Sequence, residues 1–377
     1  MRIWLCYVRA GGGHKAPAEA LASEFRKSYP GEKVELVDLA EKAELFFRYA
    51  IDDGYALLVH RAPWLYSFLY ELNKIRSVVR FQNKLVDYFT LTSIKAKLVL
   101  DRPDAIVATH FFVSSLIRAM AELKISIPIT VAVTEPFSAP SPWFFFPEIN
   151  YVVYSEQAKK LALAGGVPES NIKVLPPIIN HQLVKLDESA AALVKEKHGL
   201  AKEKKTILII GGGNGLPGGV GVIAAILKDS IDANLLIVCG NNKNFEGKVR
   251  ALVDRYPGRA VVLGYVKDVS ELIAVSDLVI GKAGAGVVFE TLMNRKPLLI
   301  THYIYGQEKG TMEFVVKNNL GWYEPRPAHI AQKVRDCLGQ AELDRISLSH
   351  RTLQLAPGNS KIADYLLRNF KERVSAR

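Results

Sequence analysis

The chain has 377 residues, 49 % hydrophobic and 23 % charged, which excludes disorder and low complexity and asks for two cores, not one. A formal net charge of +11 and a pI of about 9.3 call for an anionic partner: nucleic acid, an anionic leaflet or a phosphorylated substrate. No apolar run approaches the roughly 18 residues of a spanning helix, and the apolar residues 1–8 run into glycines without a small-residue cleavage site, so a cytoplasmic protein is expected.

Short runs rich in Val, Ile and Leu alternate with helical stretches. Strands are predicted at residues 3–8, 34–37, 105–108, 129–133 and 151–154, and again at 206–210, 234–238, 260–263, 278–280 and 297–301. Runs this short and this apolar read as parallel strands covered on both faces. Two such series predict two doubly wound α/β domains. The junction is placed at Leu175-Pro176-Pro177-Ile178, giving 1–177 and 178–358, with 359–377 a terminal helical piece. Cys6, Cys239 and Cys337 are odd in number and far apart, as expected of buried free thiols.

Residues 44–89 break the alternation. Phe46, Phe47, Tyr49, Tyr55, Trp64, Tyr66, Phe68, Tyr70, Phe81, Tyr88 and Phe89 are interleaved with Arg48, His60, Arg61, Lys74, Arg76, Arg80 and Lys84. The stretch reads as helical with a break at Pro63. One reading packs a helix pair on the first sheet with its aromatics in the core. The other is an interfacial element, with rings in a headgroup layer and cations on lipid phosphates. A single buried face would satisfy both.

Three turns carry candidate chemistry. Ala10-Gly11-Gly12-Gly13-His14-Lys15 follows the first strand, and Ala18, Leu21, Ala22 and Phe25 continue at helical spacing. This is a glycine-rich strand-to-helix turn at the carboxyl end of a strand, where open α/β sheets bind ligands. Glycine there permits positive φ or close backbone approach, and Pro17 fits a first helical turn. His14 then lies near a helix N-terminus, whose dipole disfavours the imidazolium, and is a candidate general base. An incidental histidine in a dinucleotide turn is the alternative. The spacing speaks against it, because Gly-x-Gly-x-x-Gly would put glycine where His14 or Ala16 stands.

The second turn is Gly281-Lys282-Ala283-Gly284-Ala285-Gly286, with Glu290 about one helical turn further on. Amides opening such a helix suit a diphosphate. Glu290 can accept from both hydroxyls of a ribose, or simply complement the helix dipole. The third is Tyr305-Gly306-Gln307-Glu308-Lys309-Gly310, whose polar side chains either bond a sugar's hydroxyls or form a solvated loop. Gly213-Asn214, Gly240-Asn241 and Tyr265-Val266 lie at the same edge of the second sheet, which a nucleotide would occupy, its base at Tyr265-Val266. No Walker, His-Glu-x-x-His, Gly-x-Ser-x-Gly or Asp-x-Asp pattern is present. No metal site and no tightly bound cofactor are therefore assigned. A diphosphate would be met by helix N-terminal amides and Lys282.

Together Gly11-Gly12-Gly13-His14-Lys15-Ala16-Pro17-Ala18-Glu19-Ala20, Pro63-Trp64-Leu65-Tyr66-Ser67-Phe68-Leu69-Tyr70, Gly264-Tyr265-Val266, Lys282-Ala283-Gly284-Ala285-Gly286 and Tyr305-Gly306-Gln307-Glu308-Lys309-Gly310 resemble the monogalactosyldiacylglycerol synthases of plants and the bacterial diacylglycerol glucosyltransferases. More distantly the chain is similar to the N-acetylglucosaminyltransferase that makes lipid II. The resemblance implies a GT-B fold, two Rossmann-like domains facing a central cleft. It implies acceptor binding by 1–177, donor binding by 178–358, and a helix from 359 crossing back to the first domain. It also implies inverting transfer of a hexose from UDP-glucose or UDP-galactose, a co-substrate and not a cofactor, to diacylglycerol. The expected setting is peripheral, on an anionic membrane surface at the cytoplasmic face, without nucleic acid. On this model His14 deprotonates the acceptor. Gly13, Gly213, Asn214, Gly240, Asn241, Tyr265, Val266, Lys282, Gly284, Ala285, Gly286, Glu290, Gln307 and Glu308 serve the donor. Pro63, Trp64, Tyr66, Tyr70, Glu135 and Trp143 face acceptor and bilayer. Where the family carries Thr-Asp followed by a histidine, this chain reads Thr134-Glu135-Pro136-Phe137, an acceptor-side departure. Another lipid or polyprenyl acceptor is the nearest alternative. A UDP-sugar epimerase is a second, which the aromatic segment speaks against. A nucleic-acid binder would leave both glycine-rich turns unexplained.

Overall fold

The computed structural model describes residues 1–9, 12–41, 43, 54, 58–59, 62–180 and 183–375. Ala10, Gly11, Phe46, Phe47, Arg48, Tyr49, Tyr55, His60 and Arg61, named above, lie outside the described residues. The chain divides into two compact units. One comprises Met1–Asn180, Tyr305–Gln307 and Pro357–Arg377; the other comprises His181–Ile304 and Glu308–Ala356.

The first unit holds β1 (Arg2–Tyr7), β2 (Lys33–Asp38), β3 (Ala105–Ala108), β4 (Ile129–Ala132), β5 (Asn150–Val153) and β6 (Ile172–Val174) in one sheet, ordered β2-β1-β3-β4-β5-β6. The second holds β7 (Lys205–Ile210), β8 (Ala233–Val238), β9 (Ala260–Leu263), β10 (Leu278–Lys282), β11 (Leu298–His302) and β12 (Gly321–Tyr323), ordered β12-β11-β10-β7-β8-β9. Every pairing is parallel. Helices α1 (Lys15–Ser28), α2 (Pro63–Leu72), α3 (Arg76–Asp101), α4 (Ser114–Leu123) and α5 (Glu156–Ala164) cover the first sheet's surroundings. Then follow α6 (Glu188–Lys197), α7 (Gly219–Lys228), α8 (Lys243–Val253), α9 (Ser270–Val275), α10 (Ala285–Met293), α11 (Lys309–Lys317), α12 (Pro327–Leu338), α13 (Gln340–Leu353) and α14 (Asn359–Ser375).

Strand alternation distributes the cores. Along β1, Trp4 and Cys6 enter one core with Ile106 and Ala108 of β3. Ile3 and Leu5 enter another with Ala105 and Val107. Along β7, Ile207 and Ile209 face one core and Leu208 and Ile210 the other. A sheet covered on both faces needs apolar residues at every position, which is why these strands read as unbroken apolar runs. The edge strands β6 and β12 escape sequence detection because each has three residues, one carrying Lys173 and the other opening on Gly321. All three cysteines are buried and free.

Both sheets have a switch point, where successive strands diverge to either side. It falls between β1 and β3 in the first unit and between β7 and β10 in the second. The strand ends there leave a crevice for ligands. The loops that meet at these points are the one before His14 and the one at Lys282.

The units do not part at 177/178 as the sequence suggested. Ile178 is buried among Ile3, Leu5 and Phe25, and the Asn359 side-chain amide bonds both the N–H and the carbonyl of Ile179 at 3.0 Å. Gly358 lies against this segment, its N–H donating to the Pro177 carbonyl at 2.8 Å. A Cβ there would fall 1.8 Å from the Pro176 carbonyl oxygen, so only glycine fits. From that anchor α14 buries Ile362, Leu366, Leu367 and Phe370 in the core that holds Ile3 and Leu21. Among the described residues no helix is long and apolar enough to cross a membrane.

Candidate functional site

In the first unit the switch point holds a clamped histidine. His14 occupies the N-cap of α1 and is 5 % exposed. Thr109, just past β3, grips it twice. The Thr109 hydroxyl donates to the His14 carbonyl at 2.7 Å, and the His14 Nδ1–H donates to the Thr109 carbonyl at 2.9 Å. A carbonyl only accepts, so Nδ1 carries the proton and Nε2 presents a lone pair. The Thr134 hydroxyl, just past β4, lies 3.1 Å from the same Nδ1. Aromatic rings enclose the rest: His110 at 4.5 Å edge-on and Trp143 at 5.8 Å.

Burial pushes the His14 pKa down to about 4, with the Thr109 carbonyl opposing. The sequence argument reached a neutral imidazole through the helix dipole; removal from water is the larger cause. His110 is likewise held well below the usual histidine range by burial and by His14. Neither Gly12 nor Gly13 takes a positive φ, and a Cβ at either would meet open space. Their glycines therefore relieve no strain inside the protein and leave the turn's outer side clear.

Glu135 and Trp143 were expected at acceptor and bilayer. Both are buried, so neither can touch a bilayer, and the Trp143 ring stands beside His14 and His110. Trp143 sits in a 3-10 turn, Ser141–Phe144. Glu135 Oε1 accepts from the Gln307 Nε2–H at 2.8 Å, while the Tyr66 hydroxyl donates to Gln307 Oε1 at 3.1 Å. The Ser138 hydroxyl donates to the Gln307 carbonyl at 2.6 Å, and the Tyr70 hydroxyl to the Ser138 carbonyl at 3.0 Å. Gln307, grouped by sequence with the second domain, thus packs within the first unit. Burial, then the Glu135 charge, push the Tyr70 phenol up, which keeps it a neutral donor.

In the second unit Lys282 ends β10, and its Nζ pairs with Glu308 Oε1. The other oxygen, Glu308 Oε2, accepts the Ile304 N–H at 3.0 Å. Gly284 caps α10 beside this pair; a Cβ there would come 2.7 Å from Lys282 Nζ and 3.3 Å from Glu308 Oε1. Ala285 and Gly286 open α10, so their amides belong to its unsatisfied first turn. Glu290 is buried and lies beyond that first turn, which removes the simple dipole reading. The loops after β7 and β8 interlock: Asn241 N–H donates to the Gly213 carbonyl at 2.7 Å, and the Asn242 side chain to the Asn214 carbonyl at 3.2 Å. Gly240 sits at φ +65°, where a Cβ would fall 2.4 Å from the Gly213 oxygen. A Cβ on Gly213 itself meets open space. Tyr265 is exposed and Val266 packs on the core beneath it.

The aromatic segment divides in two. α3 buries Val79, Val86, Thr90, Ile94 and Leu98 on one face, and Phe89 packs on that core. α2, by contrast, buries no residue. Trp64 is 72 % and Tyr88 79 % exposed, and Phe68, Phe81 and Leu85 are exposed too. A core reading of these rings is therefore wrong. Exposed Arg76, Arg80 and Lys84 recur every fourth residue alongside Phe81, Leu85 and Tyr88, a basic row beside an apolar row.

Thr109, His110 and Thr134 were not singled out as site residues. A signal existed for the first two: they directly follow the short apolar run of β3, at a carboxyl end.

Residues 14–179 match the model of the monogalactosyldiacylglycerol synthase family, and residues 192–341 that of the glycosyltransferase family 28 C-terminal domain. Monogalactosyldiacylglycerol synthase 1 of Arabidopsis thaliana is 28 % identical over 368 residues, 94 % of this chain and 68 % of the relative. The solved glycosyltransferase SnogD from Streptomyces nogalater superposes with a TM-score of 0.65 at 16 % identity, covering 98 % of this chain and 99 % of that one. A putative UDP-N-acetylglucosamine 2-epimerase from Listeria monocytogenes also gives 0.65, at 13 % identity, over 100 % and 97 %. At such identities the likeness speaks for the fold alone, the two-domain α/β GT-B fold, which serves both kinds of enzyme.

Proposed function

We propose that this chain, whose residues 14–179 match the monogalactosyldiacylglycerol synthase family and whose residues 192–341 match the family 28 glycosyltransferase C-terminal domain, transfers a hexose from a UDP-sugar to the free hydroxyl of diacylglycerol, with inversion, at a membrane surface. The observation that carries this reading is the His14 site: a neutral, buried imidazole whose Nε2 lone pair is unspent among the described residues, ringed by aromatic side chains, on the unit that also bears the exposed apolar face of α2.

The chemistry runs as one displacement. His14 Nε2 takes the acceptor's hydroxyl proton as that oxygen attacks the anomeric carbon from the face opposite the diphosphate. The bond from the anomeric carbon to the diphosphate breaks, and its electron pair leaves on UDP. The amides opening α10 and the Lys282 ammonium meet that charge. Glu290 holds the ribose. Glu308, whose Oε1 already pairs with Lys282, and Gln307 take the sugar's hydroxyls. Tyr265-Val266 faces the base, and Gly13, Gly213 and Gly284 let backbone approach the donor. Trp64, Phe68, Phe81 and Tyr88 enter the headgroup layer while Arg76, Arg80 and Lys84 sit on anionic lipid phosphates, each contributing about 1 kcal/mol. The protein then works peripherally.

The test supplies diacylglycerol in anionic vesicles with UDP-glucose or UDP-galactose and reads lipid products by mass spectrometry. A hexosyl-diacylglycerol from one donor is the expected result and names the sugar. UDP binding without any lipid product would remove diacylglycerol as the acceptor. Conversion of the UDP-sugar to its epimer without transfer would replace the transferase reading.

A further inference from the structure

His110 is an expensive residue for its place. It is 2 % exposed, stacks on Phe111 at 4.3 Å and meets Phe112 edge-on at 4.5 Å. A phenylalanine would fill that space without desolvating a polar ring. Its Nδ1 accepts the Phe112 backbone N–H at 3.1 Å, so Nδ1 carries the lone pair and the proton resides on Nε2. That Nε2–H has no hydrogen-bond partner among the described residues. His14, 4.5 Å away at an interplanar angle of 82°, is the opposite tautomer, Nδ1–H with an Nε2 that has no hydrogen-bond partner among the described residues. The pair thus offers one donor and one acceptor, both neutral.

A hydroxyl nucleophile has three things to place: one proton and two lone pairs. We propose that His110 is a second catalytic group, donating its Nε2–H to one lone pair of the acceptor oxygen while His14 Nε2 receives the proton and the other lone pair faces the anomeric carbon. This rests on the transferase reading above. His110 keeps its proton throughout; the O–H bond breaks toward His14 and the new bond forms to carbon as UDP departs. Negative charge developing on the oxygen in this aromatic crevice then meets a fixed N–H where water is displaced.

Three variants separate this role from packing. His110→Phe keeps the ring without a donor, His110→Gln keeps an N–H near the Nε2 position, and His110→Asn puts one near Nδ1. Each is checked for UDP affinity and thermal midpoint, and assayed for glycolipid formation. The expected result is a fall in kcat of about 100-fold for His110→Phe with UDP affinity unchanged, and His110→Gln at least about tenfold faster than either other variant. A packing role predicts the reverse order, with His110→Phe nearest wild type, and that order would overturn the inference. If His110→Phe fails to fold, the Gln-to-Asn ratio decides, and a ratio of one overturns it. Nitrogen-15 NMR of histidine-labelled wild type, free of any acceptor, reads the tautomers directly. Protonation of His110 on Nδ1 would overturn the pair even if wild type makes glycolipid. Wild type inert toward diacylglycerol, with the tautomers as assigned, would sink the acceptor reading and leave the pair standing.

Discussion

The two glycine-rich turns share a topology and differ in content. Each follows a strand beside its sheet's switch point and opens a helix, β1 into α1 and β10 into α10. The first presents His14, whose described partners are uncharged: Thr109, Thr134, His110 and Trp143. The second presents Lys282 against Glu308, with Gly284 leaving the space between them. Turn geometry supplies exposed amides and an entry to a crevice; the side chains arriving from other strands decide what charge the crevice takes. A neutral, dry turn suits proton removal from an alcohol, and a charged one suits a diphosphate.

The comparison breaks first at His14. Replacing it by alanine should lower transfer by about 10³-fold while UDP affinity, measured by calorimetry, stays within about twofold. Equal loss of UDP binding would merge the two roles that the turns are assigned. Next, Gly240→Ala forces a Cβ into the Gly213 carbonyl at positive φ, and should cost about 2–3 kcal/mol of stability, read as a lowered denaturant midpoint. His14 chemistry per folded molecule should persist. Third, Lys282→Met should raise the donor KM about 30-fold and leave the acceptor KM alone. A shift in the acceptor KM instead would deny the charged turn its donor role. Fourth, the double change Trp64→Ser and Phe68→Ser should weaken partition to anionic vesicles about tenfold. Turnover of a short-chain, dispersed acceptor should hold.

The smallest effect is on pH. His14 remains neutral down to about 4, so its part in kcat/KM should be nearly flat from pH 7.5 to 5.5, within about twofold, and fall only as pH approaches that value. Its folded pKa lies below the unfolded value near 6.5. Between those two values the unfolded state binds the proton and the folded state does not, so stability falls as pH drops through that window. An acid limb centred near 6.5 would mean that water reaches the ring.

Legibility followed the range of the interactions. Most of the ten longer strands were readable because they are covered on both faces and therefore mainly apolar; the edge strand β2, with Lys33, Glu35 and Asp38, showed only a four-residue core of the pattern. The three-residue edge strands were not readable, since so short a run with Lys173 or Gly321 has no period. The aromatics of residues 62–89 could not be divided into core and surface from pattern alone, because α3 carries an apolar row on each of two faces. Nor could position alone show that Glu135 and Trp143 are buried.

Sequence alone determined two doubly wound halves, the Gly-Gly-His and Lys-Ala-Gly turns, and His14 as the base candidate, all signalled within a few neighbouring residues. Only the tertiary structure decided that histidine's tautomer and its neutrality. The Thr109 carbonyl that sets its tautomer is 95 residues away, the Thr134 hydroxyl 120. The burial that keeps it neutral is a property of the packed crevice. Parallel sheets bring strand ends together across long crossovers, so partners at a switch point are remote in sequence by construction.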